Sequence, residues 1–268
     1  MLDLLKVDLK RVFKDKLFMI ICIIAGAFII STPLLYKVLF SAIDMGDLMG
    51  MTINAKTLTF TAFSPSSDLG LIMPILVVII LCKDFSQGTV RNKIICGKSR
   101  SKIYFSMLLT CIIVMCGVML AYGVLILLVS LTVFDYQETA FTAKDFGYLV
   151  LSLGFEMLIY VFISSLVCFF EVFMKNAGLA IVMYFAVNLL LAIIGGIVSL
   201  AWMFSDPNSA MYSVLEILSK ANVFSTTLIG QGASYSLTDI LCLLIPTIGG
   251  SAGLIFLGRA VFKKKDLK

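Results

Sequence analysis

The chain has no histidine, and only 14% of its 268 residues are charged. The first absence removes the side chain that most often serves as general base and metal ligand near neutral pH. The second, with 60% hydrophobic residues and a mean hydropathy of +1.07, removes the polar surface that a soluble domain of this size requires. Neither a GxxxxGK(S/T) segment nor a GxGxxG turn occurs, so no phosphate-cradling loop is encoded and the chain itself is not expected to hydrolyse ATP. No N-x-S/T sequon, internal repeat or low-complexity tract is present, which argues against a large outer receptor domain.

Long apolar runs fill the space. A hydrocarbon core about 30 Å thick takes about 20 helical residues per crossing. Charge-poor runs lie at 17–36, 66–82, 103–133, 149–170, 178–204 and 240–262, which predicts an all-α membrane protein, one permease-like domain over 1–268 with six transmembrane helices. The second run is the shortest. Its charge-free part, 69–82, spans only about 21 Å, so it either borrows upstream residues or turns back as a hairpin. Charge distinguishes these. Six crossings put both termini, the 83–102 loop and the 171–177 turn on the cytosolic side, where lysine and arginine are retained. Apart from Arg259 in the last run, only Lys37, Lys56, Lys144 and Lys220 of the basic residues lie elsewhere. The expected location is a cell membrane, of the bacterial plasma membrane type.

The net charge of +5 then reflects topology beside an anionic leaflet and calls for no nucleic-acid partner. Six of the seven cysteines fall in or at the ends of runs and Cys96 in the cytosolic loop, so neither a disulfide nor a CxxC metal site is expected. The charged first sixteen residues do not resemble a removable signal peptide. Within 1–16, Leu2, Leu5, Leu9, Val12 and Phe13 recur at helical spacing against Lys6, Lys10, Arg11 and Lys14, the pattern of an interfacial helix in the headgroup plane.

Three outer segments remain, 37–65, 134–148 and 205–239. In the last, Asp206 and Pro207 read as a helix start, and Met211, Val214, Leu215 and Leu218 as the stripe of an amphipathic outer helix before the last span. Inside the runs the only charge expected at depth is Glu156, about 12 Å from Tyr148 along a helix, with Asn188 the other strong hydrogen-bonding side chain. Glu156 has two readings, a structural partner of Asn188 or of a hydroxyl, or a residue of a substrate path. Gly249 with Gly253, and Gly195 with Gly196, offer small surfaces for close helix packing or subunit contact. Pro33, Pro74 and Pro246 each remove a helix hydrogen bond that neighbouring helices must offset.

The loop over 84–100 is the most specific segment. Asp84 or Ser86 is expected to open a short cytosolic helix, Val90, Ile94 and Ile95 to give it an apolar face, Arg91 and Lys93 to project from the other, and Gly97 to close it before Ser99 and Arg100. The plain alternative is a solvated basic loop that only fixes topology. The order Asp84, Gly88, Thr89, Arg91, Gly97, Ser99, Arg100 resembles the "E/D…GT.R…G.SR" signature of permease subunits of type-2 ABC exporters. The basic N-terminal helix, six spans, outer amphipathic segment and terminal Phe262–Lys268 stretch also match that family's layout.

The resemblance implies that this loop, through Asp84, Gly88, Thr89, Val90, Arg91, Ile94, Ile95, Gly97, Ser99 and Arg100, is a coupling helix docked on a separate ABC ATPase subunit. ATP and Mg would be held there, and none by this chain. It also implies a second permease chain, identical or related, meeting the first and fifth spans, and a hydrophobic or amphipathic cargo such as an antimicrobial peptide. Two other classes remain. A secondary transporter would need intramembrane ionisable groups for ion coupling. A membrane-embedded lipid-modifying enzyme would carry an aspartate-rich motif near a span end.

Overall fold

A computed structural model describes residues 2–43, 55–62, 67–133, 143–174, 176–206, 209–223 and 236–264. Every regular element among them is helical. In chain order they are α1 (Leu2–Lys14), α2 (Lys16–Ile43), α3 (Ala55–Ala62), α4 (Asp68–Ser86), α5 (Thr89–Ile95), α6 (Arg100–Val133), α7 (Ala143–Met174), α8 (Ala177–Met203), α9 (Ala210–Lys220) and α10 (Leu237–Lys264).

Five of these, α2, α6, α7, α8 and α10, are long and apolar enough to cross a bilayer. The sixth expected crossing is α4. Its apolar part, Leu69–Phe85, is about 25 Å long at 1.5 Å per residue, slightly under the hydrocarbon thickness. It reaches spanning length only together with α5, which continues at an angle of 51°. The doubt about the second run thus reflects a short helix ending in a bend. It is one continuous helix through Pro74, capped by Ser67, whose hydroxyl accepts from Gly70 N–H at 3.2 Å.

Burial explains why so short a helix persists. Leu69, Met73, Leu76, Val78 and Leu81 are at most 4% exposed, and α4 packs against α2, α6, α7 and α8. It is the central post of the bundle, apolar all round as a buried helix must be. Around it α6 and α7 form the long walls, and α10 lies along α7. By contrast α8 turns Leu189, Leu190, Ile193, Ile197 and Leu200 outward, each more than half exposed, as a helix facing lipid or another chain does.

Buried hydroxyls in the walls are satisfied locally. Thr110, Ser130, Ser164, Ser165 and Ser251 each donate to the carbonyl four residues back at 2.6–2.8 Å, so they carry no free polarity into the core. The glycine expectation changes. A Cβ on Gly196, Gly249 or Gly253 would meet nothing within 4 Å, whereas one on Gly250 would strike the Phe162 ring and one on Gly258 would lie 2.9 Å from Tyr104 Cζ. Close packing therefore runs through Gly195, as expected, where a Cβ would strike the Asn222 amide, and through Gly250 and Gly258. Gly258→Ala is expected to destabilise the folded chain by about 1–3 kcal/mol through overpacking, and Gly249→Ala to leave it within about 0.5 kcal/mol. Thermal unfolding of the two variants in detergent checks the order.

Outer segments are partly helical. Residues 37–43 extend α2, and α3 is a short helix the sequence did not announce, with Leu58, Thr59 and Phe60 buried against α6. Most of the 134–148 segment, and residues 224–235 of the third, lie outside the described residues. The outer amphipathic helix is α9, but its cap is Ser209, whose hydroxyl accepts from Tyr212 N–H at 3.2 Å. Asp206 instead accepts from Ser209 through its carbonyl, and Pro207 lies outside the described residues. Met211, Val214 and Leu218 are each more than half exposed, so the stripe faces away from the bundle. Lys220 ties α9 to α10 through Asp239 at 2.8 Å while pairing with Glu216 at 2.6 Å.

Candidate functional site: a clamped short helix

The loop after α4 folds as the short helix α5, flanked by glycines. Gly88 precedes it at φ 67°, a left-handed conformation that residues with a Cβ avoid, and Gly97 follows at φ 78°. At the far end Gly97 N–H donates to the Ile94 carbonyl at 2.9 Å and Lys98 N–H to the Lys93 carbonyl at 3.2 Å, the paired bonds of a Schellman stop. Gly97 therefore closes the helix as its position in the sequence implies. The opening differs. Asp84 belongs to the last turns of α4, not to the start of the loop helix, and Gly88 takes the cap position without a side-chain bond.

The reason is charge. Asp84 is 2% exposed, and a carboxylate that deep needs cations around it. Arg11 of α1 forms an ion pair with its Oδ1, and Lys93 Nζ stands 3.6 Å from its Oδ2. Lys93 reaches on to Asp8 of α1 at 2.6 Å, and Asp8 also accepts from the Ser106 hydroxyl of α6 at 2.8 Å. A fourth pair joins Lys83 to Asp15 at 2.6 and 2.9 Å. Burial raises the Asp15 pKa, but the Lys83 hydrogen bonds, the Leu17 N–H and the charges of Lys83 and Arg11 outweigh it, leaving the carboxyl below its ordinary value. Asp15 is also the N-cap of α2, its Oδ1 accepting from Leu17 N–H at 2.9 Å.

Charges on α1, α4 and α5 and a hydroxyl of α6 are thus joined at one end of the bundle around the buried Asp8, Asp84 and Lys93. The network corrects two expectations. Lys93 does not project outward but is only 9% exposed, and α1 is more than an anchor in the headgroup plane. Asp8 and Val12 face inward, while Leu2, Val7 and Phe13 are exposed beside Lys6, Lys10 and Lys14. Asp8 had a visible signal, being the one acid set into the apolar stripe between Leu5 and Val12. Its partner, 85 residues away, had none.

The face expected for Val90, Ile94 and Ile95 divides. Val90 is buried at 2%, Ile94 half-buried, and Ile95 is 73% exposed, sharing the outer surface with Arg91, Asn92 and Lys98. Thr89 opens the helix half-buried, and exposed Ser99 precedes α6 with its carbonyl accepting from Ile103 N–H. Arg100 donates to the Lys263 carbonyl at 2.7 Å, and Arg259 of the same α10 end reaches Ser101 at 3.3 Å and lies 5.8 Å over the Phe105 ring. Phe262 is fully buried, and Lys265–Lys268 lie outside the described residues. The motif therefore separates into an inward pair that holds the helix (Asp84, Val90), an outward set on display (Arg91, Ile95, Ser99), and Arg100, which ties the start of α6 to the end of α10.

The intramembrane pair Glu156 and Asn188 behaves differently. Glu156 is fully buried on α7, with no hydrogen-bond partner for either oxygen among the described residues, so the expected bond from the Asn188 amide does not form. Its surroundings include Tyr160, itself in electrostatic reach of Tyr184, Cys116 and Tyr122. A second buried carboxyl escaped the hydropathy reading, because the fourth run stopped at 170. Helix α7 continues to Met174 and carries Glu171 fully buried, near Cys82 of α4. Fifteen residues separate the two carboxyls, about 22 Å along the helix, so they are two sites. Glu156→Met is expected to raise stability by about 1–3 kcal/mol, since it removes an unpartnered buried polar group at similar volume. A rise in unfolding midpoint is the expected result; a fall in midpoint refutes the reading.

No ligating group of three or more His, Cys, Asp or Glu side chains is present among the described residues. No curated protein matches the sequence. The family model described as "protein of unknown function (DUF2705)" covers residues 17–268, all of the helices above except α1, and the chain belongs to that family of multi-pass, membrane-type helical proteins.

Proposed function

We propose that this chain is the permease subunit of an ATP-driven exporter, a non-catalytic membrane path that receives its work from a separate ATPase subunit through α5. The observation that carries the reading is the two-sided build of that helix. Its inner side is locked by Asp84, Lys93, Asp8 and Arg11, and its outer side presents Ile95 at 73% exposure next to Arg91. A loop that served only to fix topology needs basic residues at the bilayer edge, but it needs neither a buried ion network nor an isoleucine displayed to water. A lever does need both, because force applied at the tip passes to α1, α4 and α6 only if the base does not yield.

ATP and Mg belong in this reading to the partner. A second permease chain, identical or related, would cover the outward faces of α2 and α8, and the cargo would be a hydrophobic or amphipathic molecule, with an antimicrobial-type peptide the reading we favour. Purification of the intact chain from its native host is expected to bring an ATP-binding subunit with it, and reconstituted vesicles to transport only with ATP. Glu156 and Glu171 favour one competitor, an ion-coupled secondary transporter. That reading is supported instead if the chain purifies alone and transports on a proton or sodium gradient.

A further inference from the structure

An apolar groove of about 430 Å³ runs between α2 and α6, lined by Cys22 and Gly26 on one wall and Gly117, Ala121 and Tyr122 on the other, with Phe13 of α1 at one end. Its volume falls in the range of small-ligand sites, roughly 300–1,000 Å³. Space is left by the two glycines: a Cβ on Gly26 or Gly117 would meet nothing within 4 Å. The lining carries no charge, and at the far end of the α2–α6 seam Lys37 donates to the Val133 carbonyl at 2.6 Å. Phe13 is half-exposed, and the exposed charges within a turn of it are Lys10, Lys14 and Lys16, all cationic, while Asp15 is engaged by Lys83.

We propose that this groove is a binding site for an anionic glycerophospholipid, with one acyl chain between α2 and α6 and the phosphate beside Lys10, Lys14 and Lys16. An apolar channel open to the bilayer accepts any acyl chain, but a mouth with cations alone favours a headgroup of net negative charge over a zwitterion. The same lipid would seat the outer face of α1, which interleaves Leu2, Val7 and Phe13 with lysines, and so hold the clamp against the leaflet. The site stands whether or not an ATPase binds α5.

Native mass spectrometry of the detergent-purified chain, supplied with phosphatidylglycerol and phosphatidylcholine of matched acyl chains, tests the proposal. Retention of phosphatidylglycerol over phosphatidylcholine is expected, falling by about fivefold for each lysine removed in Lys14→Gln and Lys16→Gln, both surface changes that spare the core. Gly117→Phe is expected to eject one lipid equivalent, and millimolar inorganic phosphate to displace none. Equal retention of the two lipids, or a lysine double variant indistinguishable from the parent, overturns the proposal. So does mild oxidation that links two chains through Cys22 without releasing phosphatidylglycerol, since the lipid then lies outside the groove.

Discussion

Lys93→Met is expected to destabilise the folded chain by about 3–5 kcal/mol, the largest effect of any single substitution at this end of the bundle. Lys93 is 9% exposed and stands between Asp8 and Asp84, so its removal leaves a buried carboxylate on α1 with Ser106 as its remaining partner. The loss is dominated by that uncompensated charge and not by the strength of the bond. Two companions separate the causes. Adding Asp8→Asn to Lys93→Met should restore most of the stability, because the orphaned charge is gone. Arg11→Gln should cost less than Lys93→Met, since Arg11 is 35% exposed and its interactions are shared with water. Unfolding midpoints in one detergent measure all three. A Lys93→Met variant within about 0.5 kcal/mol of the parent would falsify the clamp.

On the proposed exporter reading, Ile95→Asp should leave the fold unchanged and abolish energy coupling by a separate ATPase subunit. At 73% exposure the side chain adds little to the core, so thermal midpoint and yield stay at parent values. An apolar anchor at the centre of a docking face, however, contributes 2 kcal/mol or more to binding, about a thirtyfold loss of ATPase affinity. Arg91→Glu should weaken the same complex by reversing a charge on the same surface. Val90→Asp is the contrast, for Val90 is 2% exposed and its replacement should fail in folding before it fails in transport. Co-purification of the ATPase and ATP-dependent uptake into vesicles give the readouts. Undiminished ATPase binding by Ile95→Asp and Arg91→Glu together would remove α5 as the coupling element.

The long apolar helices and the bounds of α6 were legible because hydrophobic length is a one-dimensional quantity. Twenty apolar residues read as a crossing whatever they pack against. Gly88 and Gly97 were legible for a similar reason, since left-handed backbone asks for glycine locally. The central place of α4 was not, because a short, uniformly apolar helix gives no sign of which neighbours surround it. The inward turn of Lys93 was hidden too. Its partners Asp8 and Asp84 are 85 and 9 residues away, and the first distance closes only when α1 folds back onto α6. Glu171 was misplaced because a hydropathy window ends where a charge appears, whereas the helix ignores the charge and buries it.

Composition and the spacing of charges alone determined that this is an all-helical protein of the bilayer with a glycine-bounded basic helix at one edge. Backbone hydrogen bonding in hydrocarbon and the retention of cations beside the membrane leave few alternatives for such a sequence. Only the tertiary structure decided which charges of that helix are spent holding it and which face outward. That division depends on contacts between residues distant in the chain, and on the high free energy of an unpaired charge away from water, which Asp8 and Asp84 avoid by pairing with Lys93 and Arg11.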